Sequence, residues 1–575
     1  MESKGWIVSK ELPDYDGHLK SVIKLENLSS AQLEMGKEMA ACAWNDHLRK
    51  RALWQDNIVK FYSRVKKEGI SSALSKSLIY LKSHILAHDL IGADYEKPKS
   101  YDDVVNGVKL GQADIFLIEC PPWDIAMPPL GIAYLASYLK KHRYKVRVFD
   151  LNIALYNLAS SNTKRLWEQK NYGEWIKEGA SPESASSQLK DVVEVVLNKL
   201  LAKVHIDCIG LSVNFASIPM VLIILKIIKS IKPKVKIILG GWGCINAHMR
   251  SFFPAGLVDI FVIGEGEATL LEIMKMLKGR KKESEVSGAI FNHQSVIQYE
   301  PRMPIMDLNL IPWPDFREFN LKHYHSRTIP LFTSRGCISK CNFCNDWAIS
   351  KPYRYRDARL VFEEMKYHVK INRTTTFSLK DLLCNGNMKN LNLLADLIIN
   401  SGLKIGWDSQ AITHKEMTDE ILCKLKRAGC ETLVYGIESF SNNVLKRMGK
   451  LFTSQIAEEV LRNTYKAQIR SCVNLIVGFP GETEIDFQET LQALERNIQY
   501  ISQIGAISVC LVNHNSDLEN NHQHYGLILS GDTKIRAKEW TICTDLNTYQ
   551  LRQARARQIL ALISKAGLKY ETLTI

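Results

Sequence analysis

Five short runs of β-branched and aliphatic residues recur between residues 109 and 290, and that recurrence restricts the fold of this chain more than any other feature. They are Asp114-Ile-Phe-Leu-Ile118, Lys145-Val-Arg-Val-Phe149, Asp207-Cys-Ile-Gly-Leu-Ser212, Val235-Lys-Ile-Ile-Leu239 and Asp259-Ile-Phe-Val-Ile263. Each reads as a buried strand, and helix-length segments lie between them, so the expectation is a doubly wound parallel sheet. Such sheets bind ligands outside the carboxyl ends of their strands. The residues at those ends are Cys120-Pro-Pro-Trp123, Ser212-Val-Asn214, Gly240-Gly-Trp-Gly243 and Gly264-Glu-Gly-Glu267.

A second feature carries the chemistry. Cys337-Ile-Ser-Lys-Cys341-Asn-Phe-Cys344 follows the apolar stretch Ile329-Pro-Leu-Phe332, so three thiols share one short loop leaving a strand. Thiolates are the usual ligands of iron-sulfur clusters, and a cube normally takes four. Three in one loop therefore imply either a distant fourth ligand or an open iron able to bind substrate. The alternative is a zinc knuckle, but zinc needs a fourth ligand close by, and no His or Cys follows within the next twenty residues. Downstream, Tyr435-Gly-Ile-Glu-Ser-Phe440 precedes Val444-Leu-Lys-Arg-Met-Gly-Lys450, and Val473-Asn-Leu-Ile-Val-Gly-Phe-Pro-Gly-Glu-Thr483 ends in a glycine turn. Taken singly, Gly478 and Gly481 read as turn residues and Glu438 as a strand-end acid.

In order and spacing, these three segments resemble the radical S-adenosylmethionine (SAM) superfamily. The resemblance implies a 4Fe-4S cluster on Cys337, Cys341 and Cys344, with SAM chelated to the open iron. Phe343 is the aromatic residue typical before the third cysteine and would shield the cluster. Glu438 and the turn of Gly478, Gly481 and Glu482 would position SAM. The region ahead of the barrel resembles the cobalamin-binding domain found in many members, through Pro128-Pro-Leu-Gly-Ile-Ala-Tyr-Leu135, the Ser-x-Asn strand end, the Gly-Gly pair and the Gly-Glu-Gly-Glu turn. That implies cobalamin contacts at Ser212, Asn214, Gly240, Gly241, Gly264, Glu265 and Gly266. One departure stands out: the first strand leads into Glu119-Cys-Pro-Pro-Trp-Asp124, without the Asp-x-His-x-x-Gly motif whose His binds cobalt from below. Trp123 is the candidate for that face.

The expected architecture is α/β: a Rossmann-like cobalamin-binding domain (109–300), a connector (301–327), a partial (β/α)6 TIM-like radical SAM barrel (328–505) and a C-terminal closing region (506–575). A helical extension (1–108) precedes them. The expected activity is methyl transfer to an unactivated carbon, through a 5′-deoxyadenosyl radical and a methyl group carried by cobalamin. Alternatives are a non-methylating radical reaction, a non-catalytic cobalamin-binding regulator, or a methylthiotransferase with a second cluster on Cys120, Cys208 and Cys244. Buried free cysteine is common, so packing is the default role of those three.

The 575 residues, 46% of them hydrophobic, suffice for several cores. A net charge of +14 is spread along the chain, and no nucleic-acid motif accompanies it. The start lacks the apolar core of a signal peptide, and the run from Met220 is broken by Lys226 and Lys229, so a cytoplasmic protein without a membrane span is expected. Thirteen cysteines then read as reduced thiols and ligands. Family resemblance also implies an electron donor such as flavodoxin or ferredoxin. No catalytic residue and no substrate, small molecule or peptide, is identified. Asp381 and Asn385 are further candidates at a second barrel strand, with Cys384, Trp407 and Gln410 near strand ends. Ala289 to Tyr299 reads as a hairpin, and the basic helix from Tyr549 to Ala566 as a solvated face.

Overall fold

The structure is a computed structural model that describes residues 100–574 apart from the short segments 107–110, 169–170, 178–183, 293–298, 347–349, 530–538 and 543–546. The helices expected in 1–108 lie outside the described residues except for one, Tyr101–Asn106.

The first half of the described chain is a six-stranded sheet of β1 (Ile115–Glu119), β2 (Val146–Asp150), β3 (Cys208–Ser212), β4 (Lys236–Gly240), β5 (Ile260–Val262) and β6 (Ala289–Phe291). Their order is β2-β1-β3-β4-β5-β6, parallel throughout except for β6 against β5. All five residues of β1 are buried, because helices cover both faces. Successive side chains point to opposite faces: Ile115 and Leu117 pack with helices Leu130–Lys141 and Gly266–Leu277, while Phe116 and Ile118 pack with Ala185–Ala202 and Ile218–Ile231. The expected hairpin is described only in its first strand. Ala289–Phe291 closes the edge of the sheet against β5, and residues 293–298 lie outside the described residues.

The second half begins with β7 (Ile329–Leu331) and a small antiparallel ribbon of β8 (Ser334–Arg335) and β9 (Arg354–Tyr355). It continues through β10 (Thr376–Leu379), β11 (Gly406–Ala411), β12 (Cys430–Glu438), β13 (Arg470–Val477) and β14 (Gln503–Val509). A second ribbon, β15 (Leu527–Ile528) with β16 (Thr541–Ile542), and a last strand, β17 (Tyr570–Thr574), complete it. The main sheet runs β17-β14-β13-β12-β11-β10-β7, every pair parallel, with helices between successive strands as in a partial barrel. Two details differ from the sequence reading. β14 runs to Val509, beyond the boundary placed at 505, and β17 adds a seventh strand that its short polar sequence does not announce.

The connector is a packed strap. Leu308, Phe316 and Tyr324 are at most 3% exposed and join the core that runs from the first sheet into the second. Among the described residues no helix is long and apolar enough to cross a membrane.

Candidate functional site

Two strand edges carry the expected site residues. In the first sheet the chain leaves β1 toward β2 on one side and later reaches β3 on the other, so the switch point lies between β1 and β3. The last residues of four strands stand there in register: Asp150, Glu119, Ser212 and Gly240. Glu119 and Asp150 are buried, and sequence reasoning missed both, because the apolar runs end one residue earlier, at Ile118 and Phe149. Burial pushes the Asp150 carboxyl up to about 6, although it accepts hydrogen bonds from the Ile153 amide and the Tyr324 hydroxyl (2.9 and 2.7 Å). Burial and the neighbouring Asp150 raise Glu119 well above the ordinary carboxylate range.

Around this row the loops leave three large aromatic side chains partly open to solvent: Trp123 after β1 (37% exposed), Phe215 after β3 (40%) and Trp242 after β4 (43%). They offer an apolar rim on adjacent strands, suited to a large flat ligand. Asn214 is occupied internally. Its side chain donates to the Pro122 carbonyl (2.6 Å) and caps the following turn at Ser217 (3.0 Å), tying the loops after β1 and β3 together. Gly241 has φ +97°, and a Cβ there would meet the Val213 carbonyl oxygen at 2.7 Å, so this glycine serves the close approach of two loops of the protein itself. Gly240 would meet Val262 only at ordinary contact distance, and nothing lies within 4 Å of a Cβ on Gly264.

The Gly264-Glu-Gly-Glu267 turn does not present its carboxylates to open space. Glu265 accepts from both terminal nitrogens of Arg354 (2.6 and 3.0 Å), and Glu267 accepts from Arg335 at 2.5 Å.

Cys120, Cys208 and Cys244 are all buried. Cys208 opens β3, at the edge opposite Ser212. Burial pushes the Cys244 thiol up to about 12 and Cys120 well above its ordinary value, and with Cys208 at the far end of its strand the three do not gather into one ligand set.

At the barrel, β8 runs through Gly336 into Cys337, and β9 follows the loop that carries Cys341 and Cys344. Asp381, just past β10, anchors the entry by accepting from the Thr333 and Ser334 amides (2.8 and 3.1 Å) and the Thr333 hydroxyl. Burial pushes its carboxyl up to about 6. Asn385 exchanges hydrogen bonds with the Ile412 backbone (2.8 and 3.0 Å), joining the loops after β10 and β11. Cys384 is buried and Gln410 exposed; Trp407 stands near the start of β11, away from the cysteine edge, and donates to the Ala428 carbonyl (2.9 Å).

The segment after β12 holds the cysteine loop from one side. The Asn342 amide donates to the Met448 carbonyl (3.0 Å), and the Asn342 side chain donates to the Arg447 carbonyl (2.7 Å). The C-terminal region holds it from the other, through Leu518 N–H to Asn342 O (2.9 Å) and Asn513 to Phe343 O (3.0 Å). Lys450 is the cation of this site. Its ammonium donates to the Gly436 carbonyl (2.7 Å) and Glu438 (3.3 Å) and lies 5.4 Å from the centre of the Phe343 ring. Burial opposes its charge, but Glu438 and then Cys341 outweigh it and hold the lysine above its ordinary pKa. The sequence reading quoted Lys450 within a motif and gave it no role. Glu438 itself has φ +69°, a strained conformation for a non-glycine residue of the kind found at functional sites.

The donor set fits a cube. Burial raises the thiols of Cys337 and Cys341, with the Ser339 amide (3.4 Å from Cys337 Sγ) and Lys450 acting against it, so a bound metal is what would hold them as thiolates. Among the described residues no three His, Cys, Asp or Glu side chains converge on a point where one ion could be held. A cube takes each thiolate at a separate corner and so does not require the three to converge on one point.

The glycine turn after β13 is built against the C-terminal helix Tyr549–Lys565. Gly478 has φ +74°, and a Cβ there would lie 2.2 Å from Arg552 Cγ. Glu482 is buried and turns back into the loop, accepting from the Gly478 amide (2.6 Å) and from Arg555 (2.8 Å). Burial outweighs the opposing pull of Arg555 and leaves its carboxyl raised to about 7. Arg552 is fully buried, 3.7 Å from the centre of the Trp540 ring, and burial lowers its pKa to about 10. The expected solvated face of this helix is thus incorrect on the side that carries Arg552 and Arg555. Val444, Met448, Phe479, Leu518 and Trp540 form one small core, with Phe343 against it. All three motifs therefore share their packing.

Residues 331–494 match the family model described as the Radical SAM superfamily. An uncharacterised methyltransferase of Pyrococcus horikoshii is 24% identical over 399 residues, 67% of this chain and 78% of that protein. The anaerobic magnesium-protoporphyrin IX monomethyl ester cyclase of Cereibacter sphaeroides is 26% identical over 278 residues, 46% of this chain and 45% of that enzyme. In fold the chain is similar to the radical S-adenosylmethionine methyltransferase TsrM from Kitasatospora setae, solved with cobalamin and a 4Fe-4S cluster bound. The TM-score is 0.57 at 16% identity, covering 72% of this chain and 79% of that one. The barrel segment is thus similar to the Radical SAM superfamily, and in this chain a doubly wound α/β sheet stands ahead of it.

Proposed function

We propose that the protein is a cobalamin-dependent radical SAM methyltransferase acting on an unactivated carbon. The observation that carries this reading is the cysteine loop: three thiols follow a barrel strand, are backed by Lys450 and Phe343, and are joined through Arg335 and Arg354 to the carboxyl edge of the preceding α/β sheet. The methyltransferase names of the Pyrococcus relative and of TsrM support methylation over the cyclisation named in the Cereibacter relative.

Cys337, Cys341 and Cys344 would hold a 4Fe-4S cluster, with Glu438 and the turn at Gly478 to Glu482 beside SAM. The edge of Ser212, Gly240 and Gly264, rimmed by Trp123, Phe215 and Trp242, would hold cobalamin. When bound, the cluster would supply the electron that cleaves SAM to a 5′-deoxyadenosyl radical, and cobalamin would supply the methyl group. The chain's own part is to position these groups and to exclude water and oxygen. Lys450 would place a buried positive charge beside thiolates that concentrate negative charge, which would favour the more negative, reduced state of a bound cluster. The segment after β1, Glu119-Cys-Pro-Pro-Trp-Asp124, carries no His, and Trp123 would meet the cofactor from that loop. We further propose a cytoplasmic setting and a small flavodoxin- or ferredoxin-like electron donor.

The test is deoxyadenosine formation by anaerobically reconstituted protein with SAM and dithionite. The full-length chain should release deoxyadenosine, and Cys337→Ala, Cys341→Ala or Cys344→Ala should each abolish it. Release by any of these variants at the unmodified rate would refute the assignment.

A further inference from the structure

We propose that the Gly264-Glu-Gly-Glu267 turn is a clamp that fixes the cysteine loop on the α/β domain, with Arg335 and Arg354 as its positioning residues. Four observations carry it. The β8–β9 ribbon is the neck of the cysteine loop, and Arg335 and Arg354 are direct partners across it. Two arginines side by side in a buried ribbon repel unless counter-charges meet them. Both counter-charges come from one turn of the other domain: Glu265 forms a two-pronged pair with Arg354 (2.6 and 3.0 Å) and also reaches Arg335 (3.3 Å), while Glu267 pairs with Arg335 (2.5 Å). Arg335 also lies 5.5 and 5.4 Å from the ring centres of Tyr134 and Phe332, one from each side of the junction.

The turn is shaped for this role. Gly264 adopts φ +82°, and Gly266 packs against Leu135 with no room to spare, its Cβ position 3.1 Å from Leu135 Cδ2. Arg354 is further fixed by the carbonyls of Ile305 (2.8 Å) and Pro352 (3.0 Å). A planar guanidinium held by a bidentate carboxylate and two carbonyls has one orientation, which lysine cannot reproduce. Buried ion pairs contribute little net stability compared with apolar packing, and their best-attested use is to specify one arrangement among several. Here the arrangement specified is the distance between the cysteine loop and the edge of the first sheet. In the function proposed above, on which this part of the inference rests, radical formation occurs at the first and methyl delivery starts from the second. Displacements near 1 Å between reacting groups cost on the order of a hundredfold in rate.

The test uses the full chain with Glu265→Gln, which keeps shape and removes charge, and Arg354→Lys, which keeps charge and removes the fork. Amide hydrogen exchange across residues 336–353 reads the clamp without any cofactor. It should rise about tenfold in Glu265→Gln as local opening becomes easier, and by less in Arg354→Lys. In protein loaded with cluster and cobalamin, pulsed dipolar EPR between the reduced cluster and cob(II)alamin should show one narrow distance distribution that broadens in both variants. Exchange of 336–353 unchanged in both variants would overturn the clamp. A chain that takes up no cobalamin would sink the functional reading while leaving the exchange test intact.

Discussion

Gly478 and Gly264 both sit at positive φ, yet their surroundings differ completely. A Cβ on Gly478 would overlap Arg552 at 2.2 Å, whereas one on Gly264 meets nothing within 4 Å. Gly264→Ala should therefore cost only the backbone strain, about 1–2 kcal/mol. Gly478→Ala adds a steric clash with a buried arginine and should cost about 3 kcal/mol or more. Thermal unfolding of the two variants checks the order, and a midpoint for Gly478→Ala as high as that of Gly264→Ala would show that the turn yields where the structure has it rigid. Bulky residues at Gly241 would collide with the Val213 backbone and disrupt the fold, so Gly240, which has room, is the informative position for probing a ligand there. Local conformational demands of this kind are legible in sequence, since a glycine in a tight turn announces itself. The partners that make the demand severe are not, because Arg552 lies far along the chain.

The cysteine loop, the segment after β12 and the glycine turn were each legible as elements, because their residues are contiguous and their spacing reflects local geometry. What the fold adds is the C-terminal region that unites them. The helix Tyr549–Lys565 looks basic and solvated when its own sequence is considered, but Arg555 finds Glu482 73 residues away, and a pairing at that separation leaves no local pattern. The strand β17 went unseen for a related reason: Tyr-Glu-Thr-Leu-Thr has neither an apolar run nor a clean alternation, and it joins the sheet only because β14 offers an edge. Removing one member of the buried pair should be costly. Arg555→Met leaves Glu482 uncompensated and should destabilise the protein by about 3–5 kcal/mol, while Glu482→Met combined with Arg555→Met should recover most of that loss. Denaturant unfolding of the single and double variants tests this, and a double variant as unstable as the single would mean the pair contributes through something other than its charges.

At the scale of the whole molecule, the two sheets are not independent bodies joined by a tether. One hydrophobic core extends from β1 and helix Leu130–Lys141 through the connector residues Leu308, Ile311, Phe316 and Tyr324 into β7 and the barrel. Above that core, charged groups of the Gly-Glu-Gly-Glu turn meet the neck of the cysteine loop. The alternation of strands and helices made both sheets predictable, but the connector's prolines suggested only a link, since the burial of a strap depends on surfaces contributed by both of its neighbours. The division of labour that follows is physical. The barrel edge gathers thiols around a buried cation, and the first sheet offers a wide apolar rim over a row of polar strand ends.

The central claim is that these edges hold two different cofactors, and metal content tests it most directly. Protein purified anaerobically from cells supplied with cobalamin, then measured for iron, cobalt and its visible spectrum, should contain about four irons and one cobalt per chain. Iron near eight with no cobalt, or zinc in place of iron, would contradict the account.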